Sequence, residues 1–172
     1  MEAARQNIAA GMSQFEFPGW EQIPDFGLYM DQVMTFMQRQ FLVLFGEGER
    51  VLTPAMVNNY VKMGLVFRPV GKKYGREQLA QLLMICLLKQ SVTAEEMKQL
   101  LCMLENRGVR DLYEGFSQIQ QDVFSQASVQ AYAMEPISCA LYASAFRLLL
   151  NGMTGETSFP LSVPGEKPRT EK

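Results

Sequence analysis

The chain has 172 residues, of which 48% are hydrophobic and 20% charged, with a formal net charge of −2. That length and composition describe one domain with a proper core, or a small domain plus an appendage, and exclude a chain that is disordered throughout. Histidine is absent, which removes the commonest general base and the commonest metal ligand together.

Residues 1–25 hold Gly11, Pro18, Gly19 and Pro24 without a sustained apolar period, which predicts an extended or partly disordered lead. The first residues have no continuous apolar run, so no signal peptide is expected. From Leu28 the spacing of Val33, Phe36, Met37, Phe41, Leu44 and Phe45 predicts one amphipathic helix over 28–45. The glycines of GEGER (46–50) end it. Thr53-Pro54 then signals a helix start: the hydroxyl can cap a free backbone N–H, and proline suits the first helical position. Gly64 stops this helix, which covers 54–63. Residues 65–75 mix β-branched and aromatic residues around Pro69 and Gly71, which predicts a small β-hairpin. The next helix, about Arg76 to Gln90, is apolar nearly all round and should be central.

Thr93 and Glu96 form a capping box, and the helix they open carries Met97, Leu100, Leu101 and Leu104 on one stripe before Asn106 and Gly108 close it. From 109 to about 133, Leu112, Phe116, Ile119 and Val123 keep the alternating step of a helix-pairing seam. Pro136 starts a final apolar helix. Its longest run, 137–150, is too short for a bilayer and contains Arg147, so no membrane span is expected. From Gly152 the composition predicts a disordered tail. Cys86, Cys102 and Cys139 are odd in number and widely spaced, which suits reduced thiols inside a cytoplasmic protein.

Charge is unevenly spread. Residues 51–92 contain Lys62, Arg68, Lys72, Lys73, Arg76 and Lys89 against Glu77 alone, so this acidic chain carries +5 there and −7 elsewhere. A basic segment of this kind is an electrostatic footprint for a polyanion, or else an ordinary solvated loop. The helix 54–63 divides in the same place. Val57, Tyr60 and Val61 share one face, while Ala55, Asn58, Asn59 and Lys62 share the other. Asparagine offers a paired donor and acceptor that fits an adenine edge, small residues permit close approach, and lysines and arginines suit phosphates.

The strings LTPAMVNNYVKMGL and GKKYGREQLAQLLMICLLKQSVTAEEMKQLL resemble the DNA-binding head of MerR-type regulators over about residues 50–105. With the upstream LYMDQVMTFM, they more closely resemble the family called domain of unknown function 1836, over about 24–150. The MerR resemblance implies a mainly α fold, a winged helix-turn-helix at 26–107 with a β-hairpin wing, in which the helix 28–45 takes the place of the first helix. The apolar seam and the tail's composition add a C-terminal helical dimerisation or effector segment at 108–151 and a disordered tail at 152–172. It implies that Asn58 and Asn59 stand where that family usually places an Arg and a Tyr on DNA, that Tyr60 packs, and that Lys72 and Lys73 sit on the wing. The GEGER turn is longer than the family's usual first turn. No cysteine falls at 108–114, where metal-sensing members begin their metal loop, so no metal is expected.

The reading that follows is a regulator binding double-stranded DNA at an inverted repeat as a homodimer, through Thr53, Ala55, Asn58, Asn59, Lys62, Arg68, Lys72, Lys73 and Arg76. The alternative is a winged-helix protein-interaction or ligand-sensing module without DNA, served by a small-molecule or protein effector. No cofactor is expected. No enzyme is expected either, since the chain has no glycine-rich phosphate loop, Cys–His pair or close carboxylate pair on an apolar face.

Overall fold

The computed structural model of the chain describes residues 2–102, 108–131 and 134–154. They form eight helices: α1 Glu2–Gln14, α2 Met30–Gln40, α3 Leu42–Phe45, α4 Pro54–Met63, α5 Arg76–Leu88, α6 Ala94–Cys102, α7 Val109–Ala131 and α8 Pro136–Thr154. A 3-10 turn lies at Trp20–Gln22. The chain divides into two compact units, residues 1–134 and 135–172.

In the first unit the centre is α5. Leu79 to Cys86 are eight consecutive buried residues, as an all-round apolar helix requires. The one long polar side chain among them, Gln81, spends its Oε1 on the Phe67 N–H at 3.0 Å, which satisfies a group that burial would otherwise penalise. Lys89, just beyond α5, donates its ammonium to the Val51 carbonyl.

The N-terminal residues depart from the expected extended lead. Residues 2–14 are helical, and Phe15 and Phe17 that follow are buried. Few large apolar residues mark a period there, but Ala, Glu, Gln and Arg are strong helix formers, so intrinsic propensity carries the helix. Phe15 stacks on Phe41 at 5.5 Å, and Phe17 meets Tyr113 and Phe116 of α7 at 5.9 and 5.8 Å. The Tyr113 hydroxyl donates to the Pro18 carbonyl at 2.7 Å, and the Gln120 amide to that of Phe15 at 3.5 Å. At Gly11, α1 comes so close to α3 that an added Cβ would stand 2.6 Å from the Val43 carbonyl oxygen.

These contacts place α7 within the first unit, which ends at residue 134. They also divide the expected seam. Phe116 faces the aromatic cluster, while Ile119 and Val123 remain 65% and 54% exposed. The single helix expected over 28–45 is broken at Phe41, whose ring is fully buried in that cluster.

The capping expectations hold. Thr53 Oγ1 accepts the Met56 N–H at 3.3 Å, and Gly64, at φ +78°, ends α4 in the left-handed region. At α6, Thr93 Oγ1 accepts from the Glu96 N–H at 3.3 Å, and the Glu96 carboxylate accepts the Thr93 N–H at 2.6 Å. The close of that helix at Asn106 lies outside the described residues.

The hairpin expected at 65–75 is a tight turn. Val70 and Lys73 exchange backbone bonds at 3.2 and 3.0 Å around Gly71 and Lys72, at φ +58° and +63°. No strand occurs among the described residues. The arms cannot ladder further because their groups are engaged elsewhere. Pro69 has no N–H, Phe67 donates to Gln81, and Tyr74 exchanges both its bonds with Leu28, at 2.8 and 2.9 Å.

The second unit contains α8. It begins at Pro136 as expected and runs two residues past Gly152, into the expected tail. The remainder of that tail, 155–172, lies outside the described residues. Ile137, Leu141, Tyr142, Phe146, Leu148, Leu149 and Met153 are each more than half exposed.

Candidate nucleic-acid interface

The caps fix α4 at both ends, and its inner face holds it down. Val57 and Tyr60 are buried, and burial, with a smaller effect of Cys86, raises the Tyr60 phenol above its ordinary pKa. The opposite face presents Ala55, Asn58, Asn59 and Lys62, all exposed. This is the division that the wheel of the sequence predicts. Asn59 Nδ2 rests 3.4 Å from Met63 Sδ, a weak contact that a better acceptor can displace. Thr53 is half-buried and committed to its cap, so its part is to set the start of the helix.

The turn that follows carries Arg68, Lys72 and Lys73, all exposed. Lys72 occupies the tip in a left-handed conformation unusual for a residue with a side chain. Lys73 Nζ lies 5.1 Å from the centre of the Tyr29 ring, a cation–π pair that ties the turn to the start of α2. Tyr74 beneath it is buried, and burial raises its phenol pKa.

Arg76 does not join this set. Its guanidinium pairs with Glu21 at 2.6 Å and Asp25 at 3.6 Å, donates to the Ile23 carbonyl at 3.0 Å, and lies over the Trp20 ring. With its side chain only 20% exposed, it clamps the segment 20–25 against α5. Its guanidinium is thus engaged within the chain, unlike those of the exposed basic residues of the turn.

Sequence reasoning missed an apolar component of the same surface. Phe26 and Val70 are 72% and 82% exposed, and Tyr29 and Phe67 are about half exposed. The Leu28–Tyr74 and Val70–Lys73 bridges bring residues 26–29 beside the basic turn. Because that pairing spans more than forty residues, no local signal in the sequence reveals it.

Other chemistry finds no support nearby. Burial pushes the Cys86 thiol up to about 12, although Lys89 opposes the shift, so it is a packing residue and not a nucleophile. Among the described residues no group of His, Cys, Asp and Glu is placed to hold a metal ion, and no helix is long and apolar enough to cross a membrane.

The family described as "Domain of unknown function (DUF1836)" matches residues 18–133, from the end of the N-terminal segment to the end of α7. The chain belongs to that family. The match covers α4, the basic turn and the Arg76 clamp together, so the whole candidate surface lies inside the family's domain. No curated protein and no solved structure matches the chain.

Proposed function

We propose that this chain is a cytoplasmic DNA-binding transcriptional regulator of MerR-like, winged helix-turn-helix type. It reads an inverted repeat as a homodimer, with α4 in the major groove and the turn 65–75 on the backbone. The observation that carries this reading is the outer face of α4, where two carboxamides, an alanine and a lysine project from a helix capped at both ends. Asn58 and Asn59 would meet base edges across the space that Ala55 leaves free, and Lys62, Arg68, Lys72 and Lys73 would meet phosphates. A two-fold dimer gives two such helices, as paired half-sites need.

The test is titration of variants against specific and scrambled duplexes at several salt concentrations. Asn59→Ala should cost roughly 1–3 kcal/mol on the preferred site and much less on scrambled DNA. Lys73→Ala should weaken both alike and flatten the salt dependence by about one unit of slope. Val57→Ala serves as the control, lowering stability and leaving recognition alone. If Asn59→Ala and Lys73→Ala both bind like the parent, α4 does not read DNA. The exposed Phe26, Phe67 and Val70 around the basic turn favour a protein-interaction module as the second reading.

A further inference from the structure

In the first unit, on the α7 side of α5, α1, α3, α5 and α7 enclose a groove of about 420 Å³, within the range of small-molecule sites. Its walls include Met12, Leu44, Leu88, Phe116 and Val123. Of its lining residues only Gln90, Ser91 and Gln120 are polar, and none is charged. One of them is anomalous. Gln120 is 4% exposed, and its Nε2 is turned to the Phe15 carbonyl, which leaves its buried Oε1 with no hydrogen-bond partner. An acceptor buried without a donor is costly, and a fold retains one where something else satisfies it.

We propose that this groove binds an uncharged, largely aliphatic small molecule bearing one hydroxyl, and that Gln120 Oε1 accepts its hydrogen bond. The absence of charge from the walls excludes an ionised ligand, which would be desolvated there without a counter-charge. The orphaned acceptor selects a donor. The terminal torsion of a glutamine is soft, so Oε1 can turn to a hydroxyl arriving from the groove while α7 stays in place. This inference does not depend on DNA binding, and its test uses no DNA.

The probes are 1-octanol and its methyl ether, which match in apolar body and differ in the donor, titrated calorimetrically into the full chain. The parent should bind the alcohol about fivefold to tenfold more tightly than the ether, the worth of one net hydrogen bond. Gln120→Leu should remove that preference while the ether binds as before. Val123→Arg, at the exposed rim, should weaken both probes tenfold or more. Should Gln120→Leu fail to fold, the parent's preference and a shift of the Gln120 side-chain amide signals in its NMR spectrum on alcohol binding decide the same point. Equal affinity for alcohol and ether would overturn the proposal, as would an unaffected Val123→Arg variant. A parent that binds neither probe, and forms a dimer that Val123→Arg separates, would give the groove to a second copy of the chain and overturn it as well.

Discussion

Helices α5 and α8 are both apolar nearly all round, yet they meet opposite surroundings. Every residue of α5 from Leu79 to Cys86 is buried, whereas α8 has no buried residue and leaves seven large apolar side chains more than half exposed. Apolar content states that a helix needs cover. Whether cover exists depends on neighbours, and α5 has them because Gln81, Lys89 and Arg76 bond to segments on either side of it. An exposed apolar face as large as that of α8 is the mark of an interaction surface.

The contrast can be broken most sharply in α5. Leu83→Ala should cost about 2–5 kcal/mol in chemical denaturation, the range for a fully buried leucine. A loss below about 1 kcal/mol, the size of an ordinary point mutation, would mean that α5 is not the centre. The next largest effect is on pH dependence. The folded Cys86 thiol keeps its proton to about 12 against an ordinary 9.0, so the stability it supports is intact below pH 9 and is lost as the pH rises towards 12. Compared with Cys86→Ala, the parent should lose stability more steeply above pH 9, by up to roughly 1.4 kcal/mol per pH unit. At pH 8 a thiol reagent should label the exposed Cys139 of α8 and spare Cys86 in the native protein.

Smaller effects sharpen the comparison at its edges. Thr53→Ala removes the cap of α4 and should lower stability by about 1 kcal/mol, read as a shift in denaturation midpoint. Leu149→Ala in α8 should change the stability of the dilute protein by less than about 0.5 kcal/mol, as an exposed site does. The same variant should weaken self-association measured by light scattering at tens of micromolar. If it costs as much as Leu83→Ala at low concentration, α8 is covered within a single chain, and the contrast with α5 disappears.

What the sequence discloses follows the range of each interaction. The limits of α4 are legible to the residue, because Thr53, Pro54 and Gly64 act on groups no more than four positions away. The Thr93–Glu96 box is legible for the same reason. The clamp at Arg76 is not legible, because its partners, Glu21 and Ile23, lie 55 and 53 positions upstream. The expected hairpin shortens to a turn because Tyr74 bonds to Leu28 instead of the opposite arm of its own turn. Helix α1 has no apolar period to mark it, and its helical character lies in propensity. The exposure of Ala55, Asn58, Asn59 and Lys62 on α4 is legible from helical spacing; the aromatic residues near the basic turn are not, since only tertiary pairing brings them there.

The bonds from Tyr113 to Pro18 and from Gln120 to Phe15 span 95 and 105 residues. Synthesis starts at the N-terminus, so the ribosome completes α1 roughly five to twenty seconds before α7 exists, at about 5–20 residues per second. Within that interval Phe41, once made, is the aromatic partner available to Phe15 and Phe17, while Tyr113, Phe116 and Phe124 are still unmade. The first unit therefore cannot close from its beginning. Its early segment waits for its late one, and Phe15 and Phe17 lack the side chains of α7 that complete their cluster until that helix is made.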